Sequence, residues 1–394
     1  IGKPSHLILK NLLSLYENGL FDDAEVLAKS ILQDYPNDEF SLKVLSLLFK
    51  NSHRMTDALV VNKKSISINP NDAEAFYNIA NTFRSLNQSS EAIDNYKKAI
   101  AINPGYSDAY NNLGVMLKDM GMLSESVEFS KKALNYNPKN SLYYFNLGDT
   151  QAKIGKYDDA RSSLMKAIAI NPNFDDARFL LAALNGESIT SAPISYVENL
   201  FDSFAFKFES SLVDNLEYKI PKIINDVLLK NYNNDSLGSV LDLGCGTGLV
   251  GVEIKEYCSY LVGIDVSGGM LELARQKNIY NKLIHLDIAD YLKNEDLNFD
   301  TFIAADVFTY IGELSDVFRL IKSRNKLNGK VVFSTENNDN KDFMLKSSGR
   351  FSHSKKYIER LCDEFNYTLS YYTKLNLRKE KDEFIEGGFY ILEF

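Results

Sequence analysis

The residues that point most clearly to chemistry form a glycine-rich segment in the second half of this 394-residue chain. The segment spans 242–248, has glycines at Gly244, Gly246 and Gly248, and directly follows the apolar run 239–243. Glycine lets the backbone turn tightly, and it lets a ligand come within contact distance of main-chain N–H groups. The segment therefore predicts a ligand-binding loop after a buried strand. Its G-x-G-x-G spacing differs from the G-x-G-x-x-G of dinucleotide sites, which argues against a nicotinamide cofactor.

Two carboxylates stand at the ends of the next two strand-like runs. Asp265 lies near the end of the run 260–266, where a carboxylate can accept hydrogen bonds from both hydroxyls of a ribose. Asp287 lies near the end of the run 282–288, where it can accept from an adenine amino group while the amide of Ile288 meets a ring nitrogen. An acidic residue at a strand end is often only a helix cap, so the prediction depends on the three features together.

These residues need a sheet that brings the strand ends together. From about Ile194, strand-like runs alternate with helical runs at the spacing of βαβ units. Buried parallel strands are predicted at 239–243, 260–266, 282–288, 299–305 and 330–335. Two late runs, 367–377 and 388–394, are predicted to pair as an antiparallel hairpin at the sheet edge. The simplest solution is an open, doubly wound sheet with its ligand beyond the carboxyl ends of the strands.

A glycine loop, a ribose-binding acid and an adenine-binding acid on three successive strand ends resemble the class I S-adenosylmethionine-dependent methyltransferases. The resemblance implies a Rossmann-like, seven-stranded domain that binds S-adenosylmethionine and releases S-adenosylhomocysteine. The expected cofactor-binding residues in this domain are Asp242, Gly244, Cys245, Gly246, Gly248, Asp265, Val266, Met270, Asp287, Ile288 and Asp306. We interpret Cys245 as a small packing residue, since the sequence shows no basic neighbourhood that would activate a thiolate.

The first half of the chain has a period of 34 residues. Five of the eight prolines stand 34 residues apart, at Pro36, Pro70, Pro104, Pro138 and Pro172. Each unit is expected to form two amphipathic helices, with Asn-Pro ending the second, because proline disfavours helix in the residue before it. The pattern resembles tetratricopeptide repeats, in five units over about residues 5–187 with a last helix at 175–185. Such arrays leave a concave groove, where they usually bind extended peptides.

One polar column recurs in this array. Asn78, Asn112 and Asn146 stand 34 residues apart, which puts them at the same place on the first helix of three successive units. A side-chain amide donates and accepts at once, so such a ladder can hold the main chain of a peptide in the groove. The alternative is that these amides bond neighbouring helices, because buried polar groups usually have internal partners.

Three further segments, 200–208, 216–221 and 349–354, resemble a bacterial family of methyltransferases that carry tetratricopeptide repeats at the amino end. The resemblance covers essentially the whole chain. It implies an α-solenoid over 1–187, a linker and lid over 188–238, and the methyltransferase domain over 239–394.

In that family, as the resemblance implies, an aromatic segment closes over the cofactor, and a basic residue matching Lys219 faces the methionine carboxylate. Here Phe204 replaces the expected tyrosine, and Lys219 replaces an arginine, so a hydroxyl contact and a bidentate clamp are both in question. A helix that simply packs on the sheet is the alternative for the phenylalanines.

Methyl transfer from a sulfonium is an in-line displacement, which requires alignment and, for some acceptors, removal of one proton. No metal is required, and the four histidines are not spaced as metal ligands. Asp306 and Tyr310, after the fourth strand, are the nearest catalytic candidates. His353 is the candidate general base because a histidine pKa can sit near working pH, although an ordinary surface histidine is the alternative. The absence of an Asn-Pro-Pro-Tyr motif argues against an amide or base amine as acceptor.

Composition restricts the partners. Lys and Arg total 44 against 53 Asp and Glu, a net charge of −9 that disfavours nucleic acid. No apolar run approaches the roughly 20 residues that cross a bilayer, and three scattered cysteines fit a reducing, cytoplasmic compartment. The leading hypothesis is a methyltransferase whose repeats recruit a protein, peptide or carrier-bound acceptor. The alternatives are a small-molecule methyltransferase whose repeats serve assembly, for example as a homo-oligomer, and a non-catalytic cofactor-binding scaffold.

Overall fold

The computed structural model of the chain describes residues 2–52, 54–209, 217–231, 236–294, 296–380 and 383–394. It divides into two compact units, Ile1–Pro172 and Asn173–Phe394. The domain limits predicted at 187 and 238 remain predictions. The helix at 175–185, which was expected to be the last helix of the repeats, lies within the second compact unit.

The first unit is an array of helices connected by short turns. In its described residues the helices are α1 (His6–Glu17), α2 (Phe21–Asp34), α3 (Glu39–Asn51), α4 (Met55–Ile68), α5 (Ala73–Ser85), α6 (Ser89–Ile102), α7 (Ser107–Asp119), α8 (Leu123–Tyr136), α9 (Ser141–Ile154) and α10 (Tyr157–Ile170). Helices α4, α6, α8 and α10 each end just before an Asn-Pro pair. The 34-residue period and its helix pairs are thereby confirmed as a tetratricopeptide-type α-solenoid.

Small residues allow the paired helices to cross closely. Ala58, Ala92 and Ala160 are fully buried at one repeating position of the second helices. Gly148 in α9 faces this kind of contact, because a Cβ placed there would lie 2.9 Å from Cγ of Leu164 and 3.3 Å from the carbonyl oxygen of Ala160. Close packing of this kind leaves no room for an added methyl group.

The second unit alternates strands and helices. Its described helices are α11 (Asp175–Asn185), α12 (Ile194–Glu209), α13 (Ile220–Asn231), α14 (Leu249–Ile254), α15 (Gly268–Gln276), α16 (Ile288–Leu292), α17 (Ser315–Ser323) and α18 (Lys355–Phe365). Its described strands are β1 (Gly238–Leu243), β2 (Cys258–Asp265), β3 (Lys282–His285), β4 (Phe299–Ala304), β5 (Asn325–Asn337), β6 (Phe343–Leu345), β7 (Phe351–His353), β8 (Thr368–Glu380) and β9 (Glu383–Glu393).

The nine described strands form one sheet, in which seven strands follow the order β3-β2-β1-β4-β5-β9-β8. The first five are parallel, whereas β9 is antiparallel to both β5 and β8. The Rossmann-like, doubly wound sheet is confirmed. Strands β8 and β9 pair as an antiparallel hairpin, as predicted. The hairpin was expected at the sheet edge, but β9 lies inside the sheet, between β5 and β8. Strands β6 and β7 were not predicted; β7 pairs with the end of β5 through Ser352 and His353.

Both faces of the sheet are covered, which explains the continuous apolar strands. Helices α16, α17 and α18 contribute buried side chains such as Leu292, Phe318 and Ile358 to one face. Helices α13 and α14 contribute Ile224 and Ile254 to the other. This burial leaves the carboxyl ends of the parallel strands as the place where polar groups can gather. Among the described residues, no helix has both the length and the apolar character to cross a membrane.

Replacing Gly148 by Ala is expected to lower the free energy of unfolding of the repeats by about 1 to 3 kcal/mol, because the new methyl group overlaps Leu164. Gly105→Ala is the matched control, since its Cβ would meet no atom closer than 3.4 Å. Urea unfolding followed by circular dichroism compares the two. Equal midpoints for both variants would contradict the close crossing.

Candidate active site

The loop after β1 has the backbone that its glycines permit. The φ angles of Gly244, Gly246 and Gly248 are 64°, 54° and 87°, in a region of backbone conformation that residues other than glycine rarely adopt. A Cβ on Gly244 would lie 2.6 Å from Cγ2 of Val307, whereas a Cβ on Gly246 would meet no atom within 4 Å. The loop is therefore packed against the protein at its start and open for a ligand at Gly246.

Asp265, at the end of β2, joins this loop to the next turn. Its side chain is buried, with Oδ2 accepting from the amide of Gly246 and Oδ1 from the amide of Ser267, both at 2.8 Å. Burial raises the pKa of this carboxyl, although the two amide hydrogen bonds oppose the rise. Each oxygen keeps a second lone pair, which a ligand hydroxyl can use.

Asp242 lies beneath the loop. It is 1% exposed, and Tyr280 donates a hydrogen bond to its Oδ2 at 2.6 Å. Burial raises the pKa of Asp242 to about 7, and the nearby charge of Asp265 adds to the rise, while the Tyr280 hydrogen bond opposes it. The position predicted to touch a cofactor is thus a buried support for the loop, and Tyr280 is a partner that the sequence analysis missed.

Asp287 serves partly as a helix cap. Its Oδ1 accepts from the amides of Ala289 at 2.8 Å and Asp290 at 3.2 Å, at the start of α16. Its Oδ2 takes part in no hydrogen bond within the described chain and is free to accept from a ligand. Ile288 beside it is buried. The capping alternative and the adenine prediction therefore concern different oxygens of one carboxylate.

The remaining cofactor candidates after β1 and β2 are more enclosed. Met270 is 1% exposed, and its amide donates to Oγ of Ser267 at 3.1 Å. The carbonyl of Val266 lies 2.7 Å from Nε2 of His285. Cys245 is buried, and burial raises the pKa of its thiol well above its ordinary value, as do Asp242 and Asp265. This environment favours packing over nucleophilic chemistry at Cys245.

Asp306, after β4, belongs to a buried ion-pair cluster. Its φ is 59°, its amide donates to Oγ of Ser334 at 2.9 Å, and its Oδ2 accepts from Arg378. Its Oδ1 is buried and has no hydrogen-bond partner within the described residues. Arg378 is 2% exposed and also binds Glu336, whose Oε2 lies 3.0 Å from Nζ of Lys346.

The charged groups of this cluster change one another's pKa values. Burial raises the pKa of Asp306, and Arg378 only partly offsets the rise. Burial also opposes ionisation of Glu336, but Arg378 and Lys346 hold its pKa below the ordinary value. Tyr218, which precedes α13, is buried nearby, and burial together with Asp306 raises its pKa. Asp306 is therefore the carboxyl of this group that takes up a proton more readily.

Tyr310 connects this cluster to α12. Its ring meets that of Phe201 edge-on, with centroids 5.4 Å apart, and its phenol is one of the groups that raise the pKa of Arg350, although burial opposes the rise. Arg350 also lies 3.5 Å from Glu380. Glu336, Arg350 and Arg378 were missed from the sequence, although Glu336 and Arg378 offered one signal, a charge within a strand.

The general-base prediction for His353 is not supported by its surroundings. His353 is fully buried in β7, and its Nε2 lies 3.0 Å from the carbonyl oxygens of both Ile311 and Gly312. Burial lowers its pKa to about 4, although the two carbonyls oppose the change. Since Nε2 carries the proton toward these carbonyls and the ring is closed off from solvent, His353 is a core residue rather than the surface histidine of the alternative.

Of the two residues predicted to lie at the lid, the structure describes the side chain of Lys219 but not that of Phe204. Lys219 has a side chain that is 66% exposed, and its nearest acidic partner is Glu217 at 3.7 Å. Phe204 lies on α12, but its side chain is outside the described residues.

The asparagine column bonds within the solenoid. Nδ2 of Asn112 donates to Oη of Tyr77 at 2.9 Å and to Oδ1 of Asn81 at 3.2 Å. Nδ2 of Asn146 donates to Oδ1 of Asn111 at 2.9 Å, and Asn146 is only 9% exposed. These bonds connect helices of successive repeats, as the alternative interpretation stated, and they use both N–H groups of Asn112 and one of the two of Asn146.

Comparisons with known proteins agree with the fold found in each half of the chain. A family model described as a methyltransferase domain matches residues 234–385. Tetratricopeptide-repeat models match 62–94, 80–121, 107–140 and 129–162. The chain thus combines tetratricopeptide repeats with a methyltransferase domain.

Similar proteins include a malonyl-[acyl-carrier protein] O-methyltransferase from Bacillus cereus, 25% identical over 31% of this chain and 46% of its own length. A ubiquinone biosynthesis O-methyltransferase from Pasteurella multocida is 29% identical over 33% of this chain and 65% of its own length. The chain therefore spans less than two thirds of either relative. Among solved structures, that of MamA is 27% identical with a TM-score of 0.38, covering 40% of this chain and 93% of MamA.

Replacing both Asn112 and Asn146 by Ala should destabilise the repeats, since each lost neutral hydrogen bond contributes about 0.5 to 1.5 kcal/mol. Asn78→Ala is the matched control, because its side chain makes no hydrogen bond within the described residues. Thermal melts followed by circular dichroism should show a lower midpoint for the double variant. A double variant as stable as the control would return these amides to the peptide-binding hypothesis.

Asp242 should make stability depend on pH. Its carboxyl has a pKa of about 7 in the folded chain, so the folded state holds a proton that the unfolded state has released, and stability falls as pH rises from about 4 to about 7. This difference between the folded and unfolded pKa corresponds to an upper limit of about 4 kcal/mol. Asp242→Asn should remove this part of the pH dependence. If the free energy of unfolding changes with pH in the same way in both proteins, the raised pKa of Asp242 is excluded.

Proposed function

We propose that this chain is a class I methyltransferase that transfers a methyl group from S-adenosylmethionine. The observation that supports it most is Asp265, a buried carboxylate at the end of β2 that is fixed by the amides of Gly246 and Ser267 beside an open glycine loop. A rigid, desolvated acceptor is suited to the two hydroxyls of a ribose.

The residues around Asp265 fit the rest of this cofactor. Gly246 leaves space for a ligand against the main chain. The free Oδ2 of Asp287 is an acceptor for the adenine amino group, and Ile288 offers its amide to the ring. Oδ1 of Asp306 is a buried acceptor without a partner in the described chain, which leaves it for a polar group of the methyl acceptor.

The bound cofactor would supply an electrophilic methyl group on a sulfonium. The residues of this chain would orient it and remove a proton from the acceptor. Asp306 suits the second task, because Arg378 holds Oδ2 while Oδ1 stays unpartnered, and its raised pKa favours proton uptake. Tyr310, whose ring is held edge-on against Phe201 of α12, would help to position the acceptor.

For the acceptor, we favour an oxygen on a protein-bound or carrier-bound group that the repeats recruit. The Bacillus cereus relative is named for an acyl-carrier-protein substrate, which is of this type. The Pasteurella multocida relative is named for ubiquinone biosynthesis and supports the alternative, a small-molecule acceptor with repeats used for assembly.

Incubating the full chain with a labelled methyl donor and extract of the source cells tests the acceptor. Label in the protein fraction supports recruitment by the repeats, and label in the small-molecule fraction supports the alternative. Binding of the donor without label in either fraction would favour a non-catalytic scaffold.

Replacing Asp265 by Ala should weaken binding of S-adenosylhomocysteine by about 1.5 to 3 kcal/mol, the usual contribution of hydrogen bonds to a charged group. Isothermal calorimetry on the full chain measures this loss. Asp316→Ala is the control, since Asp316 is an exposed carboxylate paired with Arg319 on α17. Unchanged affinity in a folded Asp265 variant would rule out the ribose assignment.

A further inference from the structure

Helix α12 is attached to the turn after β2 through one carboxylate. Oδ1 of Asp202 accepts from Oγ of Ser267 at 2.6 Å and from the amide of Gly269 at 3.0 Å. The contact is close, since a Cβ on Gly269 would lie 3.3 Å from Cβ of the buried Ala205. The residue thus connects α12 to the start of α15.

Ser267 makes this contact relevant to the site. Its amide donates to Asp265, while its hydroxyl donates to Asp202. One residue therefore hydrogen-bonds both the carboxylate assigned to the ribose and the carboxylate of α12. Moving α12 away would remove a hydrogen bond from the turn that holds Asp265.

Phe201, which precedes Asp202 in α12, makes a contact on the other side of the glycine loop. Phe201 packs edge-on against Tyr310, which follows β4, whereas Asp202 contacts the turn after β2. Strands β2 and β4 flank β1 in the sheet. Consecutive residues of α12 thus contact the segments that follow the two strands flanking β1, which puts the helix over the carboxyl end of β1. Glu209, at the end of α12, also pairs with Lys277 beyond α15.

We propose that Asp202 is a positioning residue that latches α12 over the cofactor site, acting through Ser267 on Asp265. The proposal rests on the proposed function, since it assigns the covered site to S-adenosylmethionine. The latch requires a hydrogen-bond acceptor at this position, not a charge. Asparagine can supply that acceptor and alanine cannot.

The test compares Asp202→Ala, Asp202→Asn and the control Asp226→Ala, an exposed carboxylate on α13. Two readouts are used on the full chain: hydrogen exchange of residues 194–209 without ligand, and the dissociation rate of S-adenosylhomocysteine. Asp202→Ala should exchange faster in α12 and release the ligand about 10-fold faster, the size expected for losing two hydrogen bonds. Asp202→Asn and Asp226→Ala should stay within about 2-fold of the unchanged protein.

The outcomes separate the two proposals. If the unchanged protein does not bind S-adenosylhomocysteine, the proposed function fails, and faster exchange in Asp202→Ala still supports the attachment of α12. If it binds and Asp202→Ala matches it in both readouts, the latch is wrong. If Asp202→Asn behaves like Asp202→Ala, hydrogen bonding is not the cause and the proposal is overturned. In a Ser267→Ala background, Asp202→Ala should speed ligand release less than it does in the unchanged protein, because only the bond to the Gly269 amide is left to lose; a fully additive effect would place the action of Asp202 elsewhere.

Discussion

The site depends on one constraint, a carboxylate buried at the end of β2 that must find hydrogen-bond donors. Asp265 finds them in the amides of Gly246 and Ser267, which belong to the turns after β1 and β2. Burying a carboxylate without such donors would be costly, so the two turns are held in one arrangement. The positive φ of Gly246 brings its amide to this carboxylate, and the helix α12 is then joined to the same turn through Asp202.

A second set of buried charges organises the other side of the glycine loop. Arg378 comes from β8, near the end of the chain, and pairs with Asp306 after β4 and Glu336 in β5. Removing one member of such a cluster leaves a buried charge without its partner, which is strongly destabilising. The internal position of β9 brings β8 and its arginine to this place in the unit. The late strands therefore supply a counter-charge for Asp306, the proposed proton acceptor, as well as completing the sheet.

The repeats use their polar side chains mainly for their own cohesion. Asn112 and Asn146 bond to other repeats, and Lys118 forms an ion pair with Asp149 at 2.7 Å. A periodic polar residue is therefore an ambiguous signal, because repetition of a binding contact and repetition of a packing contact give the same spacing. The two N–H groups of Asn112 both bond within the solenoid, so recruitment of a peptide by the groove does not use them.

Much of the fold and part of the site follow from the sequence. Proline spacing and helix periodicity predicted the solenoid, and alternating runs with the glycine loop predicted the sheet, because both patterns are local. The position of Asp265 at the end of β2 followed for the same reason, whereas β3 ends at His285, before the end of the predicted run 282–288, so that Asp287 caps α16. The environment of His353 did not follow from the sequence, since burial depends on β7 pairing with β5. Likewise, the contacts Arg378–Asp306 and Asp202–Ser267 join residues 72 and 65 positions apart. Only tertiary structure decides such contacts, because nothing in local spacing records which distant side chains meet.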